Sequence, residues 1–188
     1  MSKTFRAFVA IDLPETIRAS VGAAQATLKS YGFHVKWVRV ESIHLTLKFL
    51  GNIEVNRTDA IVNAMALAIE GRNALRLNAS GMGVFPNARR PRVVWVGLGG
   101  QLDQLISLQQ TLDAQLVDLG FPAETRPFKG HLTLGRVKGK VAADRLQAAL
   151  SEFNSFESDS FAADRIILFK SELHPTGAVY TKVARVRF

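Results

Sequence analysis

The tetrapeptide His-Leu-Thr-Leu occurs twice in this chain, at His44 to Leu47 and at His131 to Leu134. Imidazole titrates near neutrality, so of two such rings one can take a proton while the other gives one. The threonine two residues on carries a hydroxyl able to hydrogen-bond a non-bridging phosphoryl oxygen, whose charge must be held while bonding at phosphorus changes. Two imidazoles and two hydroxyls around one group suit in-line displacement at phosphorus, and they include no obvious nucleophile. Taken singly, a strand histidine is more often packed or hydrogen-bonded to backbone, and threonine is common in strands anyway. The pairing of the two, twice over, singles out His44, Thr46, His131 and Thr133 as candidate site residues.

These groups act together only if the fold joins positions 44 and 131, and the chain supplies a means by repeating itself. The two copies lie 87 residues apart (44 to 131). The same shift lays Phe8-Val9-Ala10-Ile11 on Trp95-Val96-Gly97-Leu98, and residues 77–85 on 164–172. A second shift lays residues 92–98 on 179–185, so one strand pattern recurs near positions 5, 92 and 179. Each unit reads as strand, helix, His-Leu-Thr-Leu strand, helix, strand. The expected fold is α+β and bilobal: two pseudo-twofold-related lobes, each an antiparallel β-sheet flanked by helices, with the active cleft between the sheets. Residues 1–188 are expected to form this one domain.

Apolar residues at helical spacing predict the first helix of each unit, through Ile17, Val21, Ala24 and Leu28 and through Leu105, Leu108, Leu112 and Leu116. Pro14 sits at one start, and Gly32 and Gly120 stand where C-terminal caps belong. Second helices are predicted over about residues 58–69 and 142–153. In the motif strands, alternation sets His44 and Thr46 on one face and Leu45, Leu47 and Phe49 on the other. It also sends Arg136 to the face opposite His131, unless a bulge or turn at Gly135 re-aims it.

With 188 residues and 47% apolar content the chain can bury a sizeable core. Its formal charge of +8 favours polyanionic partners such as RNA. The absence of cysteine excludes disulfides, thiolate metal sites, iron–sulfur clusters and thiol nucleophiles. No Asp/Glu/His cluster with ligand spacing accompanies either motif, and no glycine-rich nucleotide fingerprint is present, so neither a metal nor a cofactor is expected. The N-terminal apolar run is broken by Asp12 and Pro14, too short for a signal or a span, so a cytoplasmic location without membrane contact is expected; no exposed apolar stripe is evident, so a monomer is expected. Arg89, Arg90, Arg92, Arg126, Lys129 and Lys138 are candidates for a phosphate-attracting funnel. Phe49, Trp37, Phe128 and Tyr180 are candidates for base stacking, while His34 and His174, without repeat partners, read as surface residues.

HLTLKFLG and HLTLGRVKG resemble the paired His-x-Thr signatures of the 2H phosphoesterase superfamily. The flanks FVAIDLP, WVRVESIHLTLKFLG, FPNARRPRVVWVGL and AVYTKVARVRF resemble the bacterial and archaeal RNA 2′,3′-cyclic phosphodiesterases, also called 2′-5′ RNA ligases, over essentially the whole chain. That resemblance implies hydrolysis of a terminal RNA 2′,3′-cyclic phosphate to a 2′-phosphate, with His44 as proton donor and His131 as proton acceptor. It implies phosphate binding by Thr46 and Thr133 and a substrate contact at Arg136, and Phe49, Lys129 and Tyr180, read from their residue types, join it as candidate substrate contacts. The ligase name implies a reverse reaction with a 5′-hydroxyl end. Gly130 departs from the proline many relatives carry before the second motif. Two other readings stay open at this point: a non-catalytic RNA or nucleotide-binding module of the same fold, and a phosphodiesterase for 2′-5′ linked oligonucleotides or small cyclic nucleotides.

Overall fold

The computed structural model describes residues 3–175 and 177–188. Each unit opens with a strand, β1 (Thr4–Asp12) and β5 (Val93–Gly100), followed by a long helix, α1 (Glu15–Ser30) and α3 (Leu102–Asp118). The apolar positions named above are the buried stripes of both helices. Both helices end at the expected glycines, Gly32 at φ +71° and Gly120 at φ +83°, a left-handed turn that costs a residue without Cβ little. The motif strands are β3 (His44–Glu54) and β6 (Leu132–Val137). Second helices follow: α2 (Thr58–Ile69) matches its predicted span, and α4 (Ala143–Ser151) stops short of it, residues 152–155 forming turns. The remaining strands are β2 (Val35–Trp37), β4 (Leu75–Phe85), β7 (Phe161–Ala163), β8 (Arg165–His174) and β9 (Gly177–Arg187).

All nine strands belong to one curled antiparallel sheet in the order β7-β4-β5-β6-β3-β1-β8-β9, with β2 added to β6. Each lobe contributes a half-sheet, and the halves meet at a single antiparallel pair, Leu45 with Leu132. Those leucines are one repeat period apart. The local dyad of an antiparallel pair therefore coincides with the pseudo-dyad of the duplication, and β3, β1, β8 and β9 correspond to β6, β5, β4 and β7. The lobes are not simple sequence halves. β8, from the end of the second unit, pairs with β1, while β4, from the first, pairs with β5. The long helices interlock as well: α1 reaches β6, where the Gln25 amide donates to the Leu134 carbonyl at 2.9 Å, and α3 packs against β3.

One interruption of the strand pattern recurs at the repeat period. Ala10 pairs with Thr46 and Val9 with Lys48, leaving Leu47 as an extra residue; Trp95 pairs with Thr133 and Val94 with Gly135, leaving Leu134 extra. A bulge reverses the faces of everything beyond it. It turns Lys48 toward the core, where 2% of its side chain is exposed. There its ammonium donates to Asp113 Oδ1 of α3 at 2.5 Å and to the Pro122 carbonyl at 2.6 Å, with Glu124 at 3.5 Å. At the matching position the chain has Gly135, where a Cβ would lie 2.4 Å from Val35 Cγ1, so the space that Lys48 uses in one lobe is filled by β2 in the other.

Removing one partner of such a buried pair leaves an uncompensated charge in the interior. Lys48→Met should lower the unfolding free energy in a denaturant titration by about 3–5 kcal/mol. The double change Lys48→Met with Asp113→Leu should recover most of that loss. A single-variant loss below about 1 kcal/mol, the range of an exposed pair, would show that the tie contributes little.

Candidate active site

The seam between the half-sheets is where the two motifs meet. Continuing the Leu45 and Leu132 register sets His44 toward Thr133 and Thr46 toward His131, so each imidazole faces the other motif's threonine across the pseudo-dyad. Leu45, Leu47, Leu132 and Leu134 are buried on the opposite face and anchor both strands in the core. The two rings are held alike. Nδ1 of His44 donates to the Ser42 carbonyl at 2.8 Å, and Nδ1 of His131 donates to the Lys129 carbonyl at 2.7 Å. A carbonyl only accepts, so each neutral ring carries its proton on Nδ1 and keeps the Nε2 lone pair free.

Their surroundings differ. The His44 ring stacks on Phe8 with centroids 4.7 Å apart, meets the edge of Tyr180 at 5.1 Å and lies 6.1 Å from Phe169. Phe8, Ala10, Ile167 and Phe169 form a small apolar cluster on this face, separate from the main core. Among the described residues, His131 has one ring contact, edge-on with Phe85 at 5.0 Å; Phe85 in turn packs on Trp95, itself 5.0 Å away. Trp95 lies across Gly83, where a Cβ would come within 2.3 Å of the indole, so that wall depends on glycine.

Enclosure sets the protonation of His44. Burial, the largest effect, holds its pKa below the ordinary imidazole value; the Ser42 carbonyl and the charge of Asp12, its cross-strand neighbour, oppose this, and a charged His131 adds to it. Burial likewise raises the Tyr180 phenol, against the nearby charges of Arg136 and Arg6.

The faces of two candidates need correction. Strict alternation put Phe49 with the core leucines and Arg136 opposite His131. The paired bulges reverse both: Phe49, 59% exposed, lies 6.1 Å from Phe8, and the charge of Arg136 reaches Tyr180 beside His44. Phe49 and Arg136 are one period apart, so the two motifs place an aromatic and a cation at matching positions. Tyr180 closes the His44 side as a ring contact. Lys129 contributes its main-chain carbonyl to His131, and its side chain is exposed. Of the other aromatics, Trp37 and Phe128 pack against the core. His34 and His174 are exposed, as are Arg89, Arg90, Arg92, Arg126 and Lys138.

Phe8, Phe169, Phe85 and Trp95, which shape the histidine pockets, were not among the sequence candidates. A signal for two of them was present, because Phe8 and Trp95 are aromatic residues at the same place in the repeat. Phe85 and Phe169 break the symmetry and carry no such mark. Among the described residues, no three His, Asp or Glu side chains come together where they could hold a metal ion, and no helix is long and apolar enough to cross a membrane.

The family model described as LigT like Phosphoesterase matches this chain twice, over residues 11–95 and 97–180. An RNA 2′,3′-cyclic phosphodiesterase of Methanothermobacter thermautotrophicus is 39% identical over 176 residues, covering 94% of this chain and 95% of that protein. Among solved structures, a Thermus thermophilus protein superposes with a TM-score of 0.80 at 26% identity, covering 97% of each chain. Escherichia coli LigT complexed with phosphate superposes at 0.72 with 25% identity, over 98% of that chain and 99% of this one. With a relative of equal length at that identity, and a family model that takes in both motifs, the chain belongs to the LigT-like phosphoesterases, the 2H phosphoesterase family.

Proposed function

We propose that this protein is an RNA 2′,3′-cyclic phosphodiesterase that opens the terminal ring with water and leaves a 2′-phosphate, using its two histidines and no metal ion. The observation that carries this reading is the matched pair of imidazoles across the pseudo-dyad, each pinned through Nδ1 to a carbonyl two residues back. Curated relatives of similar length carry the name of that activity.

In this reading the cyclic phosphate sits at the seam with its non-bridging oxygens toward the Thr46 and Thr133 hydroxyls. Nε2 of neutral His131 takes a proton from water as the water oxygen attacks phosphorus. The bond from phosphorus to the 3′ oxygen breaks, and Nε2–H of protonated His44 donates to that oxygen. One proton enters and one leaves, so the next turnover needs only proton exchange with solvent. Arg136 steadies the anion, and Phe49 and Tyr180 offer ring surfaces to the base. Reversal, with a 5′-hydroxyl end taking water's place, is ligation.

The lowered pKa of His44 fits a donor that is charged by its substrate. A phosphodiester brings a negative charge against the ring, and an opposite charge favours imidazolium. The proton is then held where it will be used. Aromatic walls keep the donor out of bulk water, which strengthens its interaction with the bound anion.

An RNA oligomer ending in a 2′,3′-cyclic phosphate should yield a 2′-phosphate, and turnover should survive a chelator. His44→Ala and His131→Ala should each lower kcat by about 10²–10⁴-fold, the usual worth of a general acid or base. Retained turnover in both variants would leave a binding module in place of an enzyme. Activity lost to a chelator and restored by a divalent ion would overturn the metal-free mechanism, and a 3′-phosphate product would reverse which bond breaks. Thr46→Val and Thr133→Val should each cost about 10²-fold, mostly in kcat.

The electrostatics give a separate test by NMR. In the free protein the His44 ring should titrate below an ordinary imidazole, because burial and His131 both disfavour its charged form. His131→Gln removes a like charge and should move that titration up; inorganic phosphate adds an opposite charge and should also move it up. A His44 titration above the ordinary value in the free protein would contradict this account.

A further inference from the structure

Beside His44, on the side away from the seam, the site face opens into a cavity of about 400 Å³ between the end of β1 and strands β8 and β9. Asp12, Asp164, Arg165, Lys182 and Arg185 line it, over a floor of small apolar side chains such as Ala163 and Ile167. It continues the catalytic face: Asp12 pairs across from His44, Ile167 lies beside Ala10, and Arg185 lies beside Ile167. Arg185 is thus three strands from Thr46, or about 14 Å between backbones at the usual strand spacing, and its long side chain spans part of that distance.

The charges around this cavity do not balance. Asp12 is shared between Lys182 and Arg18, and Asp164 pairs with Arg165 and feels the charge of Arg187. Among the described residues, the Arg185 side chain has no ion pair and no hydrogen-bond partner. Arg18 also pairs with Glu15, so five cationic side chains meet three carboxylates. The Lys182 and Asp12 pair is itself partly exposed, and exposed pairs are weak enough to yield to a stronger anion. A guanidinium without a partner presents a planar fork that matches a phosphate. None of the described residues lining the cavity is aromatic, so it has no platform for stacking a base, and its chemistry suits backbone in place of base recognition.

We infer that this cavity holds a backbone phosphodiester of the RNA strand upstream of the reacting end, with Arg185 as the main contact and Lys182 released from Asp12 to join it. The inference rests on the reading of the seam as a cyclic phosphodiesterase site, and deepens it: the preferred substrate is an oligonucleotide end, recognised without regard to base, in preference to a cyclic mononucleotide. Binding energy collected at a remote phosphate then assists reaction at the terminal one.

Steady-state kinetics on two substrates test this, a 2′,3′-cyclic mononucleotide and a short oligoribonucleotide ending in a 2′,3′-cyclic phosphate. Arg185→Glu should raise KM for the oligomer by about tenfold or more, the worth of one charge-assisted contact, and leave kcat/KM on the mononucleotide within about twofold. Arg185→Ala should flatten the slope of log kcat/KM for the oligomer against log salt by about 0.7, one phosphate contact on a single strand. Arg185→Lys should retain most of the oligomer preference, which a merely structural role would not require. Equal losses on both substrates, or no change on either while the wild type turns over both, would overturn the subsite and leave the parent reading intact. A wild type that hydrolyses neither substrate would overturn both.

Discussion

The site depends on one contact, the antiparallel pairing of Leu45 with Leu132. An antiparallel pair has a local twofold axis, and here the paired residues are equivalent positions of a duplicated unit. That coincidence brings two motifs 87 residues apart (44 to 131) together at one seam. Had the half-sheets met one residue out of this register, one motif would have turned its imidazole away from the dyad, because a shift of one residue exchanges the faces of a strand. Both leucines are fully buried, so the register is held by the same apolar face that forms the core.

The paired bulges at Leu47 and Leu134 give that arrangement its contents. Without them Lys48 would stand in the cleft, and Phe49 and Arg136 would lie in the core or behind the sheet. With them the cleft gains an aromatic residue from one lobe and a cation from the other. Each bulge is secured differently. The Gln25 amide holds the Leu134 carbonyl, and Lys48 ties its own strand to α3 and to the chain leading into the second motif. Each motif strand is therefore braced by the other unit or its partner elements, and the interlocked helices and exchanged strands leave neither lobe a separable half.

Symmetry places the two histidines alike, and departures from symmetry make them different. Both donate Nδ1 to the carbonyl two residues back. Phe8, Phe169 and Tyr180 enclose His44, whereas the wall at His131 is Phe85 backed by Trp95. Enclosure removes water from the His44 imidazole and disfavours its charged form.

The amino-acid sequence by itself determined the duplication, the α+β order of elements, the buried stripes of α1 and α3 with their glycine ends, and the nomination of His44, Thr46, His131 and Thr133 as candidate site residues. These follow from local periodicity and from a repeat period, both of which are written along the chain. Tertiary structure decided the rest. The seam between half-sheets, the exchange of β4 and β8 and the corrected faces of Phe49 and Arg136 depend on pairings between distant strands, which no local pattern encodes. A bulge in particular leaves almost no trace in composition, since it adds one ordinary leucine and changes only what that residue opposes. The protonation of His44 depends on four elements converging on one ring, and the basic cavity beside it depends on β9 returning to the first lobe to complete a sheet begun at the other end of the chain.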